Sequence, residues 1–165
     1  MLKKNNIKSK QGFTIIEVVL VLAIAGLIFL MVFIALPALQ RGQRDTQRRN
    51  DMSRFLSQLA QYQANNNSNV PGSKDAFNTF IANYLRVNGD TFADPSGTNY
   101  TVNNYTACTS TACAQKSAAN DYQSGYINVY TNATCNGEAP KYEKGARKIA
   151  ITYKLEGAGI YCGHN

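Results

Sequence analysis

The sequence predicts an α+β fold, with a long N-terminal helix packed on a small antiparallel β-sheet. Three observations predict it. Val18 to Leu36 is an unbroken apolar run of 19 residues. Beyond it, Met52, Phe55, Leu56, Leu59, Ala60 and Tyr62 fall mostly at steps of three and four, one stripe of an amphipathic helix. Towards the C-terminus the texture changes to short segments rich in β-formers and punctuated by turn residues. The chain has 165 residues and is 44% hydrophobic, enough for one ordinary domain plus an appendage.

The apolar run would span about 28 Å as a helix, enough to cross a bilayer core. It is longer than the apolar region of a secretory signal peptide, and Leu36-Pro37-Ala38-Leu39 offers no small-residue cleavage site. The segment therefore reads as retained in the mature protein. The helix is expected to continue to about Ala64, where Asn65-Asn66-Asn67-Ser68-Asn69-Val70-Pro71-Gly72 breaks it. From Phe13 to Ala64 it would be about 75–80 Å long. Phe77, Phe80, Ile81, Tyr84 and Leu85 predict a second helix over 73–88, closed by Asn88-Gly89-Asp90. Strands are expected at Tyr100–Val102, at Gly125–Thr131, at Arg147–Leu155, which alternates most clearly, and as a short piece ending at Cys162. Cys135 to Pro140 reads as loop.

The formal charge is +7, from 17 Lys plus Arg and 10 Asp plus Glu. Lys3, Lys4, Lys8 and Lys10 precede the apolar run. Arg41, Arg44, Arg48, Arg49 and Arg54 follow it, against Asp45 and Asp51. Residues 55–165 are nearly neutral, so the chain is not basic throughout. All four cysteines, Cys108, Cys113, Cys135 and Cys162, lie in the last 60 residues. An even count in a chain with an export-like N-terminus favours disulfides. Zinc is the weaker alternative: Cys108 and Cys113 have no matching pair, and the only histidine is His164. No phosphate loop, nucleophile elbow or metal cluster is present, so no catalytic residue, cofactor or metal is expected.

The informative feature is Lys10-Gln11-Gly12-Phe13-Thr14-Ile15-Ile16-Glu17, placed directly before the apolar run. A basic leader is followed by Gly, then Phe, then a lone carboxylate among hydrophobics. A charged residue at mid-bilayer costs about 2.5–3.5 kcal/mol, and less near an end, so an ionisable residue here points to function. Over about residues 8–40 the chain resembles the type IV pilins and the related pseudopilins.

That resemblance implies a pilin-like organisation: a leader at 1–12, a transmembrane and polymerisation helix at 13–39, its amphipathic half at 40–64, and a globular head at 65–165. It implies cleavage by a prepilin peptidase between Gly12 and Phe13, and N-methylation of Phe13. It implies that Glu17 of an incoming subunit pairs with the Phe13 amine of a neighbour, in lipid where water competes little. Gly26 and Pro37 are helix breakers within the apolar segment, where such proteins often place their proline nearer Ile34. The four residues Arg41, Arg44, Arg48 and Arg49 have two readings: contact with DNA phosphates, or a solvated collar pairing with acids of neighbouring subunits. The collar is preferred, because no aromatic platform lies among them. Four cysteines allow three pairings. In a family where a C-terminal disulfide loop is common, the expectation is Cys135–Cys162 with Cys108–Cys113.

The implied partners are identical or related subunits, the prepilin peptidase and a membrane assembly machinery. The implied location is a single-pass membrane protein that becomes an extracellular fibre used for adhesion, twitching motility or DNA uptake. The alternatives are a pseudopilin of a secretion system and a membrane-tethered binding module that never polymerises.

Overall fold

The computed structural model describes residues 12–109, 113, 123–157 and 159–165. The leader up to Gln11 and most of the loop between Cys108 and Cys113 lie outside the described residues. The chain divides into two compact units, one ending at Leu39 and one spanning Gln40–Asn165.

Helix α1 runs Ile15–Asn65 and continues through Gly26 and Pro37. Pro37 has no N–H, so the Phe33 carbonyl loses its ordinary partner four residues on. In the first unit the large apolar side chains from Phe13 to Leu39 are exposed, Phe13 itself at 92%. This stretch is long and apolar enough to cross a membrane.

In the second unit α1 buries Arg48, Met52, Phe55 and Leu59, one residue per turn or so along a single face. Leu56 and Tyr62 are half-buried beside them, and Ala60 is exposed. The helix stops where Asn67 and Ser68 take positive φ and the Ser68 N–H caps the Gln63 carbonyl at 2.7 Å. Ser73 then caps α2 (Lys74–Phe80) by accepting from the Ala76 N–H. The predicted second helix does not run to residue 88. It widens into a π-helical turn at Ile81–Leu85, closed by the Arg86 N–H on the Ile81 carbonyl at 3.0 Å. The expected stripe survives: Phe77, Phe80, Ile81 and Leu85 are all buried. Phe55 meets Phe80 edge-on at 5.4 Å between ring centroids, and Phe80 meets Tyr62 edge-on at 5.6 Å.

The main sheet has strands β1 (Thr101–Ala107), β2 (Tyr126–Thr131), β5 (Ile149–Lys154) and β6 (Ile160–His164), in the order β1-β2-β5-β6. β2, β5 and β6 are antiparallel neighbours, as expected of a mostly antiparallel sheet, and β1 joins β2 in parallel. A parallel pair needs a long crossover, and residues 108–125 supply it. β1 is bulged between Val102 and Asn104. The Asn78 amide covers its outer edge there, accepting from the Val102 N–H at 2.8 Å and donating to its carbonyl at 3.3 Å.

Residues read as loop instead form a hairpin, β3 (Ala133–Asn136) with β4 (Ala139–Tyr142). Gly137, at φ 63°, takes the first central position of its two-residue turn, where positive φ is needed. Strands of four residues containing Pro140 give almost no period, and Pro is tolerated because β3–β4 is a two-stranded sheet among the described residues, leaving β4 an edge strand. β2 and β5 are buried on both faces. Ile127, Val129, Ile149, Ile151 and Tyr153 join the helix side chains in one core. Tyr130 and Ala150 face a smaller cluster with Ala133 and the four cysteines. Cys108 bonds to Cys113 and Cys135 to Cys162, the second tying the β3–β4 hairpin to β6.

Candidate functional site

The N-terminal site is built by the start of α1. Thr14 is the last residue before the helix, and its hydroxyl accepts from the Glu17 N–H at 3.4 Å. Glu17 reaches back: its Oε2 accepts from the Thr14 N–H at 2.8 Å and from the Thr14 hydroxyl at 2.7 Å. This is a reciprocal capping box, which satisfies donors that a helix start otherwise leaves orphaned. It also places a carboxylate at the positive end of the helix dipole. Among the described residues Oε1 of Glu17 has no partner and stays open to a further donor. Phe13 is adjacent and exposed, so the Gly12–Phe13 bond sits one residue outside the first helical turn. Thr14 was not singled out from the sequence, although Thr14-x-x-Glu17 is a readable capping signature.

A second constellation lies within the other unit. Arg48 is 2% exposed. Its Nε and Nη2 grip Asp94 at 2.6 and 2.9 Å, its Nη1 donates to Asp45 at 2.9 Å and its Nη2 to Glu156 at 2.9 Å. Asp94 also accepts from the Tyr153 hydroxyl at 2.6 Å, the Ser96 N–H at 2.8 Å and the Ser124 hydroxyl at 3.0 Å. Asp45 in turn accepts the backbone N–H groups of Glu156 and Gly157 at 2.8 and 2.7 Å, which seats the β5–β6 turn on α1. Arg44 pairs with Glu156 at 2.7 Å, and Arg54 with Asp90 at 2.5 Å.

These contacts correct the solvated-collar reading for Arg44 and Arg48. Their counter-charges are acids of the same chain, because Asp94 and Glu156, distant in sequence, return to α1 on the turns before β1 and after β5. Arg41 and Arg49 remain exposed, and Arg49 lies 6.0 Å from the Tyr161 ring centroid. The Asp94 hydrogen bond holds the Arg48 guanidinium far above its ordinary range. Burial pushes the Asp94 carboxyl up, but its bonds to Arg48, Ser96 and Tyr153 outweigh that and hold it well below the usual carboxylate range. The network is therefore a charged clamp, fully ionised at neutral pH. Among the described residues no group of three His, Cys, Asp or Glu side chains is placed to hold a metal ion.

The family described as the prokaryotic N-terminal methylation motif matches residues 7–33. The match covers the end of the leader, the Gly12–Phe13 junction, the capping box and part of the apolar segment. The chain thus carries a class III prepilin-type signal, on an α+β fold of pilin-like kind. Comparison with curated proteins and with solved structures finds no match to the chain. At this level it is a prepilin-type protein, pilin- or pseudopilin-like.

Proposed function

We propose that this chain is the structural subunit of a type IV pilus. A prepilin peptidase cuts after Gly12, and Phe13 becomes the methylated N-terminus. The segment 13–39 serves first as membrane anchor and then as fibre core, with identical or related subunits as its partners. The observation that carries this reading is the methylation motif placed on an apolar helix segment whose large side chains are exposed among the described residues. Large apolar faces left bare need lipid or other helices around them.

Glu17 has two tasks in this scheme. In the single chain its Oε2 is bound by Thr14, which lowers the cost of carrying a carboxylate into lipid. In the fibre its Oε1 receives the Phe13 amine of a neighbour, so the pair sets the axial step between subunits. Glu17→Ala should leave the protein membrane-inserted and processed but sharply reduce surface fibres, counted by electron microscopy. Normal fibre numbers from that variant would sink the Glu17 assignment. The same micrographs separate long fibres from the short or absent assemblies of a pseudopilin.

A further inference from the structure

The sequence holds two Asn-Gly pairs, Asn88-Gly89 and Asn136-Gly137. Both lie at turns, and all four residues are exposed. An asparagine side-chain amide is open to attack by the backbone nitrogen of the next residue, most of all when that residue is glycine, which has no side chain to hinder the approach. Attack requires the asparagine backbone to rotate until that nitrogen reaches Cγ. What opposes the rotation therefore decides which pair reacts.

The two turns differ in what holds them. Asn136 is the last residue of β3 and pairs with Ala139 of β4. Its neighbour Cys135 is bridged to Cys162 of β6. Rotation at Asn136 pulls a ladder apart next to a crosslink. Asn88 and Gly89 lie outside the strands, between the π-helical turn and β1. Their φ angles are 56° and 85°, both positive as at the centre of a type I′ turn. The turn is closed by the Asp90 N–H on the Val87 carbonyl at 3.1 Å. Among the described residues the Gly89 N–H has no hydrogen bond, and a Cβ added to Gly89 would meet nothing within 4 Å. The attacking nitrogen is thus bare.

We infer that Asn88 is a site of spontaneous deamidation, and that it reacts ahead of Asn136. First the Gly89 nitrogen, having lost its proton to base, bonds to Asn88 Cγ. The Cγ–Nδ2 bond breaks, the leaving nitrogen takes up a proton, and ammonia departs. Water then adds to the cyclic imide, with no oxidant or reductant involved. Breaking the new bond to Cγ leaves an aspartate at position 88. Breaking the bond to the main-chain carbonyl leaves isoaspartate, whose main chain is one methylene longer. Either product sets a new carboxylate near Asp90, which pairs with Arg54 of α1 and accepts the Phe92 N–H at 3.0 Å. Phe92 is held at φ 34°, with the Arg54 guanidinium 5.6 Å from its ring centroid. This hook of Asp90 and Phe92 on α1 loosens once the turn lengthens. The inference does not depend on whether the chain polymerises.

The test incubates the full chain in detergent at mildly alkaline pH. Peptide mass spectrometry follows both asparagines through the exchange of NH2 for OH. One further hydrogen bond to open slows attack about fivefold, so Asn88 should convert about fivefold faster than Asn136, or more. In urea, with the disulfides reduced, the two rates should converge. Acidic buffer should slow both, because the attacking nitrogen must lose its proton. Asn88→Gln should stop conversion at position 88 and leave the rate at Asn136 unchanged. Exchange of the Phe92 amide should quicken as the parent chain converts, and stay constant in Asn88→Gln. No conversion of Asn88 in the folded chain overturns the assignment, as does Asn136 converting equally fast. A rate difference that survives unfolding overturns it too, because the two turns would then not decide the order. Unchanged Phe92 exchange in the converted chain would overturn the loosened hook.

Discussion

Replacing Arg48 by Met should weaken the Gln40–Asn165 unit more than any exposed substitution. Arg48 supplies four charged hydrogen bonds, two of them to Asp94, whose side chain has no exposure. Removing one partner of a buried ion pair costs about 3–5 kcal/mol. Asp94 would keep Tyr153, Ser96 and Ser124 as neutral donors, which places the loss near 3 kcal/mol. Asp45 and Glu156 are better solvated and add little. For a unit of this size the midpoint should fall by about 10 °C. The assay is thermal unfolding of the full chain in detergent, followed by near-UV circular dichroism. The ten tyrosines give that signal without tryptophan.

The double variant Arg48→Met/Asp94→Asn no longer buries an unpaired charge, and a coupling of about 1.5 kcal/mol is expected relative to the two singles. The pH dependence has a definite sign. Asp94 is held below its unfolded range, so its contribution is full above about pH 4 and is lost as pH falls further. Without Arg48 the first of the causes that lower that carboxyl is gone and burial moves it up, so the deficit of Arg48→Met should shrink as pH falls. A midpoint within about 2 °C of the parent, or purely additive singles, would refute the clamp.

Three further predictions follow from the other elements. Cys135→Ser/Cys162→Ser should cost about 3.5 kcal/mol and Cys108→Ser/Cys113→Ser about 2 kcal/mol, because the bridges close loops of 27 and 5 residues; urea unfolding checks the order. Asn78→Ala should cost about 1–2 kcal/mol and speed amide exchange at Val102, since it uncovers the bulged edge of β1; unchanged protection there would remove Asn78 from this role. Gly12→Val should leave the leader attached, and an intact mass beginning at Phe13 in that variant would contradict the cleavage assignment.

The helical part of this fold was legible because its periods are long. Val18–Leu36 and the stripe from Met52 to Leu59 each repeat over several turns, so composition and spacing carry them. The N-terminal site was legible in part: Gly12, Phe13 and Glu17 stand out by type, whereas Thr14 is visible only as the partner in a capping box. The β3–β4 hairpin was not legible, because four-residue strands with a proline show no alternation. The parallel pairing of β1 with β2 depends on where a long crossover lands, which residue pattern does not encode. The Arg48 clamp was misread for a related reason. Asp94 looks like a turn residue and Glu156 like a surface acid, and only the tertiary fold brings both to α1.

The central claim is that this chain is cut after Gly12 and built into fibres through its N-terminal helix. Intact-mass measurement of the main subunit in sheared surface fibres tests it most directly. The account predicts a chain starting at Phe13, one methyl group heavier than its residues, with both disulfides closed. A subunit that still carries its leader, or cells whose fully processed chain appears in no fibre, would contradict it.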